Sequence, residues 1–268
     1  MSRIPAIFAE LRTRKAKALM PFVCGGYPGP GDLQRVLPGL ERGGASVVEV
    51  GIPFSDPIAD GPVIAAAMHE ALGKGATPAG VLKEIGAARA GLKLGVVAMV
   101  SVSIVQRIGG ERFIDDAKRA GVDGFIFPDL PLEESGELIG LCRSAGLTAS
   151  LLVAPTTEPA RAEAIARSCS GFVYLLARAG ITGEGASVQA EAIAARVKML
   201  RSATDLPIAC GFGISSAEHV RQVVSQGGAD AAIVGSALVR RMSQAAEQGR
   251  DAAAEAEMFC RELAKGLA

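Results

Sequence analysis

Along the chain, short apolar runs alternate with stretches in which apolar positions recur every three or four residues. The runs are 19–23, 46–51, 94–100, 124–127, 149–153, 172–176, 207–211 and 231–234, eight in all. They lack the in–out alternation of a half-solvated sheet and read as strands buried on both faces, the pattern of a parallel sheet. Between them, Leu33, Val36, Leu37 and Leu40, or Leu138, Ile139, Leu141 and Cys142, carry helical spacing. No two-residue Asn-Gly or Asp-Gly turn joins successive runs, so crossover connections through helices are predicted. At the N-terminus, MSRIPAIFAELRTRKAKALM mixes charged and apolar positions and predicts a short amphipathic helix.

Eight strand-then-helix units in 268 residues predict an α/β fold, a single (β/α)8 barrel of the TIM type with an extra N-terminal helix. The competing arrangement is an open, doubly wound sheet, which commonly places GxGxxG after its first strand. Here that position reads Cys24-Gly25-Gly26-Tyr27-Pro28-Gly29. No linker or shift in composition divides the chain, so one domain over 1–268 is expected. Extra length gathers directly after the second run, in PFSDPIADGP, and after the sixth, in ARAGITGEGAS. Barrel active sites are built from loops that follow strands.

Composition narrows the class. The chain is 49% hydrophobic and 21% charged, with 28 basic and 28 acidic residues, which argues against both disorder and a nucleic-acid partner. The five cysteines, Cys24, Cys142, Cys169, Cys210 and Cys260, form no CxxC pair, and His69 and His219 have no partner at ligand spacing. Neither a metal site nor a disulfide framework is expected, and a reducing cytoplasm fits best. No apolar segment reaches the length of a membrane span, and the N-terminus does not read as a secretory signal.

Candidate chemistry sits at the ends of the strands. Glu49 interrupts Val47-Val48-Glu49-Val50-Gly51, with no Lys or Arg in that strand to pair with it. A carboxyl there is either paired with a distant Arg or kept neutral by desolvation as a proton shuttle, and the second reading is favoured. Asp56 and Asp60 follow in a loop stiffened by Pro53, Pro57 and Pro62. Asp60 can cap a helix starting at Pro62, or stand as a second carboxylate dividing acid and base roles with Glu49. Gly211 and Gly213 end the seventh run, and Gly235 and Ser236 follow the eighth and open a helix. Loops after the last two barrel strands are a recurrent phosphate site, where backbone N–H groups face the anion. Tyr174, on an apolar strand before a long loop, is a candidate substrate contact. Met20, Met99 and Cys210 read as core.

The run Val48-Glu49-Val50-Gly51-Ile52-Pro53-Phe54-Ser55-Asp56-Pro57-Ile58-Ala59-Asp60-Gly61-Pro62 closely resembles the signature of the tryptophan synthase alpha subunit family. Pro21-Phe22-Val23, Pro128-Asp129-Leu130-Pro131, Arg178 to Gly183 and Leu206 to Ser215 extend that resemblance over essentially the whole chain. It implies a carbon–carbon lyase that cleaves indole-3-glycerol phosphate to indole and glyceraldehyde 3-phosphate in tryptophan biosynthesis. By the same resemblance Glu49 is the general acid and base, and Asp60 holds the indole N–H and stabilises the cationic intermediate. Phe22 lines the indole pocket and Tyr174 stands near the glutamate. Thr182 and Gly183 belong to a closing loop, and Gly213, Gly235 and Ser236 cradle the phosphate.

The resemblance implies a beta subunit as partner in an alpha2-beta2 tetramer, with pyridoxal phosphate in the beta subunit and no cofactor or metal in this chain. Pro53, Asp56, Pro57, Ser101 and Ser103 are the candidate contact residues. The chain departs from the family after the third strand, where Met-Thr-Tyr-Tyr-Asn-Pro is usual and Met99-Val100-Ser101-Val102-Ser103-Ile104 stands. That departure keeps open a stand-alone lyase, alongside a non-catalytic phosphate-binding subunit that activates its partner. A phosphate-sugar isomerase ranks last, because the histidines fall in helical stretches and no lysine stands at the C-terminal strand ends.

Overall fold

The computed structural model describes residues 1–57, 60–177, 190–211 and 213–268. Its strands are β1 (Ala18–Cys24), β2 (Val47–Gly51), β3 (Gly95–Met99), β4 (Gly124–Ile126), β5 (Thr148–Ser150), β6 (Leu152–Val153), β7 (Val173–Leu176), β8 (Ile208–Gly211) and β9 (Ala231–Val234). All pair in parallel, in the order β5-β4-β3-β2-β1-β9-β8-β7-β6. β5 and β6 end that order at opposite sides, yet only Leu151 separates them, so the two edges are halves of one strand and the sheet closes. The predicted barrel is present.

The run 149–153 was expected as one strand and is instead split. Leu151 sends its N–H to Cys169 Sγ at 3.2 Å, outside any ladder. On one side of it β5 pairs with β4, and on the other β6 pairs with β7.

Helices wrap the barrel: α1 (Ile4–Thr13), α2 (Leu33–Arg42), α3 (Pro62–Gly73), α4 (Pro78–Ala88), α5 (Val102–Ile108), α6 (Gly110–Arg119), α7 (Ser135–Ala145), α8 (Pro159–Ser168), α9 (Ala190–Arg201), α10 (Ala217–Arg221), α11 (Ser236–Glu247) and α12 (Ala252–Ala264). Alternation along each strand sorts the side chains into two layers. Leu19, Val23, Val48, Val50, Val96 and Ala98 pack outward against the helices. Met20, Phe22, Cys24, Val47, Val97 and Met99 fill the barrel interior. Because both layers are apolar, the strands read as unbroken hydrophobic runs.

The predicted N-terminal helix closes one end of the barrel. Ile4 and Phe8 of α1 join the interior cluster, and Phe8 lies 6.3 Å from Phe172, just before β7. Arg3 donates its N–H to Asp123, just before β4, at 3.0 Å, and Arg89 donates to the other oxygen of that carboxylate at 2.6 Å. With the start of the strands filled and tied in this way, the opposite end is left for the site.

Candidate active site

Glu49 sits in β2 between Val48 and Val50, which face the helices, so its side chain turns into the barrel. Backbone register sets Phe22 of β1 and Val97 of β3 beside it. Only 2% of Glu49 is exposed, and its Oε2 has no hydrogen-bond partner among the described residues. No ion pair to it is found among the described residues, so the alternative of a distant Arg gains no support there. Burial, reinforced by the charge of Asp60, pushes its carboxyl up to about 8.

Asp60 comes from the loop between β2 and α3. The helix starts at Pro62, with Gly61 at the capping position and no side-chain cap. The reading of Asp60 as a helix cap is thereby corrected: Gly61 takes that place, and proline needs no N–H satisfied at the first helical position. Freed from that task, the carboxyl lies near Glu49, Cys24 and Tyr174, and its charge raises all three after their own burial. Burial pushes Asp60 itself up to about 6. Two carboxyls in one interior therefore titrate apart, the arrangement that separates an acid from a carboxylate near neutrality.

Phe22 and Tyr174 complete the apolar walls, each resting on a glycine. A Cβ on Gly51 would lie 2.6 Å from Phe22 Cζ, and one on Gly211 would lie 2.7 Å from the Tyr174 hydroxyl. Gly211, expected among the substrate-binding residues, thus makes room for the Tyr174 ring. Tyr174 is buried in the interior layer, with its phenol held well above its ordinary pKa by burial and by Glu49.

The two glycine segments end β8 and β9. Gly213 adopts a left-handed conformation at φ +80°, which only glycine takes without strain. Gly235 caps α11 without a side chain, leaving the first N–H groups of a 12-residue helix free of intrahelical partners. Such a terminus favours an anion through both its donors and its dipole. Ser236 opens the helix and is buried. Thr182 and Gly183 lie outside the described residues.

The candidate partner contacts divide. Asp56 is exposed and accepts a hydrogen bond from Ser55 Oγ at 2.6 Å, Pro53 is buried and Pro57 half-buried. Pro53 and Ser103 line an outer groove of about 1040 Å³ between α4, α5 and α6, with Phe54, Ile104 and Arg107. Ser101 is buried as well. Its hydroxyl donates to Asp129 at 2.6 Å and accepts the N–H of Ser103 at 3.2 Å, while Asp129 also accepts from Val102 at 3.0 Å. Asp129 therefore anchors the start of α5. In the sequence, Asp129 stands out only within the family-like Pro128-Asp129-Leu130-Pro131, and its position just after a barrel strand is the signal that could have marked it.

The profile of the family described as tryptophan synthase alpha chain matches residues 8–268. The chain belongs to the tryptophan synthase alpha chain family. It is 44% identical over 264 residues to the tryptophan synthase alpha chain of Synechococcus sp. (strain CC9902), covering 98% of this chain and 97% of that one. Against the alpha chain of Prochlorococcus marinus (strain MIT 9313) it is 46% identical over 260 residues, covering 97% and 93%. The crystal structure of tryptophan synthase subunit alpha from Legionella pneumophila str. Paris superposes with a TM-score of 0.90 at 30% identity, covering 100% of this chain and 98% of that one. The family is the carbon–carbon lyase of tryptophan biosynthesis, cleaving indole-3-glycerol phosphate to indole and glyceraldehyde 3-phosphate, and its members normally pair with a beta subunit. No helix among the described residues is long and apolar enough to cross a membrane.

Proposed function

We propose that this chain performs the retro-aldol cleavage of indole-3-glycerol phosphate with Glu49 as its proton carrier and Asp60 as its charge stabiliser. The observation that carries the reading is Glu49: a fully enclosed carboxyl beside a second one, with an oxygen unbonded among the described residues and a proton affinity near 8.

At pH 7 such a group is largely protonated. It donates its proton to indole C3, and the positive charge that develops at the ring nitrogen is held by the Asp60 carboxylate, which is largely ionised at that pH. Glu49, now a carboxylate, takes the proton of the hydroxyl on the adjacent glycerol carbon. That O–H pair becomes the aldehyde C=O, the C3–carbon bond breaks, and its electrons return to the ring. Indole keeps the proton gained at C3, and Glu49 ends as it began. Each proton moves between Glu49 and the substrate, so the cycle calls for no cofactor in this chain.

Phe22 and Tyr174 supply apolar walls for the indole ring, and Gly213, Gly235 and Ser236 take the phosphate at the start of α11. Anchoring that remote anion fixes the reacting carbon against Glu49, so binding energy is used for orientation. Thr182 and Gly183 are assigned to closure over the substrate. Pro53, Asp56, Pro57 and Ser103 are assigned to the face that meets a pyridoxal-phosphate-bearing beta subunit in an alpha2-beta2 tetramer, with Ser101 supporting it through α5. We take residues 1–268 as one domain.

Cleavage in deuterium oxide tests the proton route. Indole from the intact enzyme is expected to carry one deuterium at C3, and Glu49→Gln should slow its formation by about 10²–10⁴-fold or more. Indole formed at an undiminished rate by Glu49→Gln would remove Glu49 from the mechanism.

A further inference from the structure

A small cavity of about 30 Å³ is lined by Asp60, Met68, Met99, Ser101, Pro128 and Asp129, with Asp56 and Pro57 of the loop after β2 also at its wall. A space of that size holds a water molecule or one small substituent. Met68 and Met99 belong to the interior layer that also contains Phe22, Cys24 and Tyr174, so cavity and indole pocket share walls. Part of this wall is preorganised: Ser101 and Asp129 are bonded to each other and to the start of α5, leaving Ser101 as a short side chain fixed in place. A residue longer than serine at that point would project into the space.

This inference rests on the proposed role of Asp60 as the partner of the indole N–H. N1–H is flanked by C2 and C7; with C3, and so its neighbour C2, turned toward Glu49, the ring carbon left beside the Asp60 carboxylate is C7. We propose that the cavity is a specificity pocket for a small substituent at C7, and that Ser101 sets its size. The substrate class is indole-3-glycerol phosphates bearing methyl, hydroxyl or halogen at C7.

The test compares kcat/KM for indole-3-glycerol phosphate and its 7-methyl derivative, measured on the same preparation so that active-enzyme concentration cancels. Burial of one methyl group is worth up to about fourfold, so the native enzyme should use the 7-methyl compound at a ratio between one and about four. Ser101→Thr and Ser101→Asn keep a capping oxygen at the start of α5 while enlarging the side chain. Both should lower the ratio, Ser101→Asn by about tenfold or more, even where the variant's overall rate changes. A native ratio of one tenth or less, or a ratio unmoved in both variants, would overturn the pocket. Cleavage of neither compound by the native enzyme would overturn the proposed reaction, and with it this inference.

Discussion

Replacing Glu49 by Gln preserves shape and removes one titratable proton, so it separates chemistry from packing. General acid–base catalysis is worth about 10²–10⁴-fold, and kcat should fall by at least that factor while substrate affinity changes little. Stability supplies an independent reading. The native carboxyl binds its proton up to about pH 8, whereas an unfolded glutamate releases it near 4.5. Between those values the folded state holds the extra proton, so native stability falls as pH rises, by about 1.4 kcal/mol per pH unit. Glutamine does not titrate and is free of that slope. From pH 5 to pH 8 the variant should therefore gain roughly 4 kcal/mol on the native protein. Urea unfolding of both proteins at several pH values, without substrate, measures the difference. A stability difference that stays flat across this range would refute the desolvated, protonated Glu49 on which the mechanism depends, whatever the kinetics show.

Other outcomes follow from the same geometry. The reaction needs Glu49 protonated and Asp60 ionised, so kcat should fall below about pH 6 and above about pH 8; Asp60→Asn should abolish the acid limb and lower kcat by about 10²–10³-fold in a pH–rate series. Gly211→Ala places a methyl 2.7 Å from the Tyr174 hydroxyl and should cost about 1–3 kcal/mol in urea unfolding and raise KM. Asp129→Ala removes the acceptor for Ser101 and Val102, so a loss of about 1–2 kcal/mol is expected, together with weaker capture of a beta subunit in titration. A bulky residue at Gly235 should raise KM for the phosphorylated substrate and leave the circular dichroism spectrum unchanged.

Much of this architecture is legible in the chain because doubly buried strands have no polar face to hide. Glu49 stood out for the same reason: in VVEVG nothing local offsets its charge. The split at Leu151 was not legible, since both halves are apolar and the diverting atom is the sulfur of Cys169, eighteen residues away. Asp60 fitted two readings because Asp-Gly-Pro serves equally for a cap and for a loop end, and only the three-dimensional position of Gly61 decides between them. Gly211 was expected at the phosphate site; that it also clears the Tyr174 ring was not legible, because that contact arises between neighbouring strands. The segment after the third strand read only as a departure from the family's usual residues. Its two serines lie at the start of a helix, Ser101 capping it and held by Asp129 from beyond the next strand.

The most direct test is indole release from indole-3-glycerol phosphate by the purified chain, with and without a tryptophan synthase beta subunit. Indole and glyceraldehyde 3-phosphate formed in equal amounts, faster with the beta subunit present, is the predicted result. A rate indifferent to that subunit would leave the lyase standing and remove the partnership. No indole under either condition would contradict the account at its centre.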